Sequence, residues 1–196
     1  MDSATPRRRR PRADARRNYE RLLAEADAVF REHGVDASLE RIARQAGVAI
    51  GTLYKHFPTR LALIAALLRE RHDALFARGD ALLADASPGA ALATWIRLVV
   101  AHAATYQGLA ALFIVGPGLK AAELAEDCAR LASVTEQLVG TARAAGALRP
   151  EVTSADVSAL MNAAAWVHEE ISADQANRLL DLAVAGMTPT GTALGS

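Results

Sequence analysis

The chain has 196 residues, 52% of them apolar and 5% aromatic, and Lys plus Arg balance Asp plus Glu to a formal net charge of zero. That composition supports a real core and excludes fibrous, collagen-like and wholly disordered classes; 45 alanines and few β-branched or aromatic residues favour helices over a large sheet, since Ala loses least on helical ordering. The zero is uneven: residues 1–60 hold 12 Arg and 1 Lys against 8 acidic residues, and the remainder is correspondingly acidic, which points to a polyanion-binding end.

Residues 1–14 are rich in Arg and Pro without an apolar period and are expected to form a disordered basic arm. From there Tyr19, Leu22, Leu23, Ala26, Val29 and Phe30 recur at helical steps, and Gly34 ends this first helix. Ser38 is a candidate N-cap for a short helix, Leu39–Ala46, that Gly47 stops; Arg41 is not the Glu a capping box would want. A third helix, Ile50–His56, follows after a brief turn, and Pro58 closes it. A long pattern then runs from Leu61 to about Ala84, with Thr59 as a possible N-cap and Gly79 as a weak point. Ala91–Tyr106 is apolar almost all round, Gly108–Val115 is another short apolar helix, and Gly116-Pro117-Gly118 marks a break. Leu119–Ala145, Ser154–Ile171 and Asp174–Met187 complete the helices, and residues 188–196 read as a flexible tail. The expected fold is all-α with about nine helices. It comprises a helix-turn-helix domain at 15–60 and a larger helical domain at 61–187.

Two short helices joined by a tight Gly-containing turn match the helix-turn-helix unit, whose second helix lies in the DNA major groove. Ala43 suits the close crossing, Gly47 the reversal, and Val48, Leu53 and Phe57 the plugs that fix it. Within the second helix Lys55 can donate to guanine acceptors, Thr52 can bond a base edge, and Gly51 permits close approach; Ser38 can donate to a phosphate while capping.

The string Leu22-Leu23, Ala26, Val29-Phe30, Gly34, Ile42-Ala43, Ala46-Gly47-Val48, Gly51-Thr52-Leu53-Tyr54, His56-Phe57, Arg60 and Leu63 resembles the N-terminal domain of the TetR family of bacterial transcriptional regulators. The resemblance implies an all-helical homodimer that represses transcription until a ligand in its C-terminal domain releases it from operator DNA. It places Ile50, Gly51, Thr52, Lys55 and His56 on or near the recognition face and Tyr54 and Arg60 at positions that meet phosphates. Ala49 and Ile50 depart from the polar residues often found there, which shifts readout toward thymine methyls or DNA shape. The arm Arg7–Arg12 either lies along DNA, as homeodomain arms do, or is simply solvated. His56 beside Phe57 is either a DNA contact or a packing residue.

In the C-terminal half the resemblance implies an effector cavity, for which Trp95, Val99, His102, Tyr106, Phe113, Met161 and Trp166 are the candidate lining, apolar walls with few polar groups suiting a small organic ligand. Each has ordinary core packing as its alternative. His102 and His168 are isolated in sequence, so metal sensing has little support and no cofactor is expected. Cys128 is expected to be a small buried residue without a redox role. Val157, Leu160, Ala164, Val167, Leu179, Leu182 and Ala183 form stripes on the last two helices that, with the resemblance, predict a two-fold four-helix interface and hence a pseudo-palindromic operator.

No apolar stretch reaches the 18 or more residues of a membrane span, no apolar segment follows the Arg run as a secretory signal requires, and a single cysteine cannot form an internal disulfide. A cytoplasmic location is expected. No Gly-x-Ser-x-Gly, Walker loop, dinucleotide fingerprint or His-Glu-x-x-His occurs, which argues against an enzyme. A helical module whose arm binds RNA or acidic surfaces is the remaining rival, weakened by the lack of spare aromatics for base stacking.

Overall fold

A computed structural model describes residues 10–114 and 122–189. Its helices run α1 (Arg10–His33), α2 (Leu39–Gln45), α3 (Ile50–His56), α4 (Arg60–Leu83), α5 (Pro88–Ala103), α6 (Leu109–Ile114), α7 (Ala122–Ala144), α8 (Ser154–Glu170) and α9 (Ala173–Met187). No strand occurs among the described residues. The all-α expectation holds, and most boundaries fall within a few residues of those read from apolar spacing. One differs at the start: α1 begins at Arg10, so residues 10–14 are helical where an arm was expected. The arm's remaining residues, 1–9, lie outside the described residues, as do the Gly116-Pro117-Gly118 break and tail positions 190–196.

The chain divides into two units after Leu67. That division falls within α4, past the boundary expected at residue 60, and Leu63 and Ile64, both fully buried on the opening turns of α4, lie in the first unit. The core of that unit gathers Leu22, Ala26, Val29 and Phe30 of α1, Ile42 and Ala43 of α2, and Leu53 of α3. At the α2 end Gly47 adopts φ +65°, its N–H bonds Arg44 O at 3.1 Å and the Val48 N–H bonds Ala43 O at 3.0 Å. This is a Schellman closure, which needs a left-handed residue that Gly supplies without strain. Val48 itself is only half-buried, so Leu53 and Phe57, 0% and 2% exposed, are the plugs that hold the crossing.

In the second unit α5 is buried along most of its length, with Trp95 and Ile96 wholly enclosed, and α7, α8 and α9 pack around it. Gly79, which the sequence marks as a weak point, is a close approach instead. A Cβ there would stand 2.8 Å from the Trp95 ring and 2.9 Å from Val134. Thr153 and Asp156 form a reciprocal capping box at the start of α8, and Ser172 caps α9 through the Gln175 N–H. Glu169 of α8 reaches across to accept from the N–H groups of Gly108 and Ala110, both at 2.9 Å, and so satisfies the otherwise unpaired start of α6.

Candidate nucleic-acid interface and helical cavity

The helix α3 is short because Ala49 offers no side-chain cap and Pro58 follows its end, yet it is fixed by what lies beneath it. Leu53 and Phe57 point into the core, and the same helical turn presents Gly51, Tyr54 and Lys55 to solvent, with Ile50, Thr52 and His56 half-exposed at the margins. A Cβ added at Gly51 would meet nothing within 4 Å, so that side of the backbone is open to an incoming surface. Lys55 and His56 supply the only basic side chains of α3, and no acidic residue lies in its first turn. The geometry joins one cation, one phenol and a bare backbone on one outward face.

Three of the sequence-derived candidates carry partners inside the protein. Ser38 is exposed and caps α2, accepting from the Arg41 N–H at 3.3 Å, but its hydroxyl proton is donated to Glu40 Oε2 at 2.7 Å. That bond, with Glu40's own N–H, holds the Glu40 carboxyl below its usual value, so an incoming phosphate must displace an anion to reach Ser38. Arg60 Nη1 donates to Val35 O at 2.6 Å and Ala37 O at 2.5 Å, clamping the turn that leads into Ser38. His56 is half-buried, its ring 6.0 Å from Tyr19 in an edge-on arrangement and 6.2 Å from Phe57. The arm residues Arg7–Arg9 lie outside the described residues, and so do the side chains of Arg10 and Arg12.

The second unit contains a cavity of about 170 Å³ between α5, α7 and α8. Of the expected lining, Val99 and Met161 are present; the other walls are Ala103, Leu131 and Ala132, with Cys128, Thr135, Ser158 and Asn162 as polar members. Trp95 does not line it. Its ring is enclosed in the core and its Nε1 donates to Thr135 Oγ1 at 2.9 Å, so the indole instead orients a hydroxyl of the wall. Tyr106 is likewise buried and absent from the lining, and Trp166 is 52% exposed on the outside of α8. The Phe113 side chain lies outside the described residues. Cys128, expected to be buried, is exposed at the cavity wall, where partial burial and Asp127 push its thiol up.

His102, a further candidate, faces a partner that sequence reading missed. Its ring lies 4.8 Å from that of His72, whose Nδ1 is 2.7 Å from Asp127 Oδ2. Burial, then the neighbouring charges of His72 and Arg71, push His102 down to about 4. The available signal was position: His72 interrupts the stripe Leu68, Leu75, Phe76 on α4, where a polar residue needs a buried partner. Among the described residues no group of three or more His, Cys, Asp or Glu could hold a metal ion.

The stripe on α8 and α9 is split by the packing. Val157 and Ala164 are fully buried within the chain's own core and are not available to another copy. Leu160, Val167, Leu179 and Ala183 are half-exposed, whereas Leu182 is 75% exposed, and Ile171 and Trp166 stand out with it. Of the large apolar side chains exposed among the described residues, all lie on α8, α9 and the turn between them except Tyr54 of α3.

Residues 22–67 match the family described as bacterial regulatory proteins, tetR family, and residues 87–189 match that described as transcriptional regulator SbtR-like, C-terminal domain. The chain is 40% identical over 68 residues to an uncharacterised HTH-type transcriptional regulator, TtgW, of Pseudomonas putida, a match that spans 34% of this chain and 51% of that protein. A crystal structure of a TetR transcriptional regulator from Streptomyces coelicolor superposes with a TM-score of 0.60 at 39% identity, covering 88% of this chain and 99% of that one. FadR from Bacillus subtilis, solved in complex with stearoyl-CoA, shares the fold at TM-score 0.59 and 20% identity, over 86% and 99% of the two chains. With the C-terminal match extending over more than half of its length and a helix-turn-helix placed as the fold requires, the chain belongs to the TetR family of DNA-binding transcriptional regulators.

Proposed function

We propose that the protein is a cytoplasmic homodimeric repressor that binds a pseudo-palindromic operator through α3 and leaves it when a small organic molecule occupies the cavity of the second unit. One observation carries the DNA-reading part: Gly51, Tyr54 and Lys55 face outward from a helix whose reverse side, Leu53 and Phe57, is locked in the core. Lys55 then meets guanine acceptors or phosphate, Thr52 a base edge or thymine methyl, and Ile50 an apolar base surface. Tyr54 meets phosphate. Arg60 and Ser38 act through the α1–α2 turn that they order, and His56 steadies the end of α3 against Tyr19.

Dimerisation is supported by Trp166, Ile171 and Leu182, large apolar side chains that α8, α9 and the turn between them leave exposed, as an interface would. Leu160, Val167, Leu179 and Ala183 lie at its margins. Effector release is supported by the cavity itself. FadR's stearoyl-CoA shows a ligand in one structural neighbour, and the cavity described above is far smaller than such a molecule needs.

A gel shift on duplex DNA from the protein's own upstream region tests the reading. Binding is expected to weaken steeply with salt, as counterion release demands, and Lys55→Ala and Tyr54→Ala are expected to lower affinity while circular dichroism and melting temperature stay unchanged. Salt-insensitive binding, or loss of folding in both variants, refutes it.

A further inference from the structure

We infer that the ligand of the cavity is a neutral, single-ring-sized molecule carrying a hydrogen-bond donor, such as a phenol or aryl alcohol, and that carboxylates and other anions are excluded. The inference rests on the effector reading above and specifies its ligand. Size comes first: about 170 Å³ is comparable with an engineered cavity of about 150 Å³ known to hold benzene in another protein, and below the range of about 300–1,000 Å³ for drug-sized ligands.

Charge comes second. The lining contains no Lys, Arg, His, Asp or Glu. An anion seated against the apolar walls of Val99, Leu131 and Met161 gives up part of its hydration and meets no cation in the lining, although the side formed by Cys128 and Ala132 is open to solvent. Cys128 adds no positive charge, and its raised thiol stays protonated.

Hydrogen-bond polarity comes third. Thr135 Oγ1 donates its proton to Leu131 O at 2.8 Å and already accepts from Trp95, while Ser158 Oγ donates to Ser154 O at 2.9 Å. Both protons are therefore already committed, and what is left for a guest is acceptor capacity: one remaining lone pair on the buried Thr135, and the lone pairs of Ser158. Two acceptors, one from α7 and one from α8, select a ligand O–H or N–H and repel a carboxylate oxygen. Asn162 alone, with no hydrogen bond among the described residues, offers both a donor and an acceptor.

The test is titration calorimetry on the full chain at pH 7.5 with three single-ring probes: the near-isosteric pair phenol and toluene, and the anion benzoate. Phenol is expected to bind about tenfold more tightly than toluene, one hydrogen bond's worth, and benzoate more weakly still. Ala132→Trp, at an exposed position of α7 that faces the cavity, is expected to abolish phenol binding with the melting temperature retained. Asn162→Ala is expected to keep phenol ahead of toluene, because the preference comes from Ser158 and Thr135. Toluene or benzoate binding as tightly as phenol, a preference for phenol that disappears in Asn162→Ala, phenol binding that survives Ala132→Trp, or binding by none of the three overturns the inference. Operator release is scored separately by gel shift in the presence of phenol. Binding without release supports the ligand class and refutes the effector reading.

Discussion

Gly51→Ala adds one methyl to the second residue of α3, at a position where a Cβ meets nothing within 4 Å and the backbone is already helical. Folding should gain from it. Glycine in a helix is less favourable than alanine by about 0.5–1 kcal/mol, and a site in the first turn sits at the lower end of that range. With a urea dependence of about 1–3 kcal/mol per molar, a gain of about 0.5 kcal/mol raises the denaturation midpoint by roughly 0.2–0.5 M. DNA binding should move the other way. The new methyl stands between the α3 backbone and any base edge, and losing one good base contact is about 1–3 kcal/mol in each half-site, so operator affinity falls tenfold or more. Fluorescence anisotropy with labelled operator, run beside urea melts of the same preparation, reads both. A variant that is more stable and binds operator as tightly as the parent refutes the view that this face approaches DNA; a variant that is less stable refutes the open surface assigned to Gly51.

The remaining predictions use other parts of the molecule. Leu53→Ala, at a fully enclosed position, is expected to destabilise the first unit by about 2–5 kcal/mol; a change below roughly 1 kcal/mol in urea unfolding contradicts its role as a plug. Arg60→Met removes two charged bonds to the Val35 and Ala37 carbonyls and is expected to cost about 1.5–3 kcal/mol without DNA present; unchanged stability with weakened binding makes Arg60 a phosphate contact alone. For His102, burial and then the neighbouring charges of His72 and Arg71 on α4 favour the neutral ring, with a folded value of about 4 against 6.5, while Asp127 on α7 pairs with His72. The unfolded chain therefore takes up this proton first as pH falls, so stability present above pH 6.5 declines between 6.5 and 4 and levels off below. Unfolding curves for His102→Gln should lack that component, about 3 kcal/mol at most, and a pH profile identical to the parent's counts against it. Leu182→Glu is expected to leave the fold intact, since the side chain is 75% exposed, and to shift a dimer toward monomer in sedimentation; a variant that sediments as the parent does removes Leu182 from the interface.

Local rules explain what could be read in advance. Helix α3 was legible to the residue because its limits depend on neighbours in sequence: a reversal at Gly47, a Pro after its end, and apolar residues at Leu53 and Phe57 that leave Gly51, Tyr54 and Lys55 on the other side. Ser38 as an N-cap was legible for the same reason. Arg60 was legible only as a cation, because its carbonyl partners lie 23 and 25 positions away and no spacing rule spans that distance.

The sequence by itself determined the all-helical class, the first-unit core and the outward face of α3, since periodicity and capping act over one or two turns and leave their mark in the order of residues. Tertiary structure alone decided the rest. It turned Val157 and Ala164 inward and left Trp166 and Leu182 outside, withdrew Trp95 from the cavity to orient Thr135, and paired His72 with His102 and Asp127. An apolar stripe records that a helix has a buried side, but which part of that side meets its own chain, a cavity or another molecule depends on the angles at which helices distant in sequence come together.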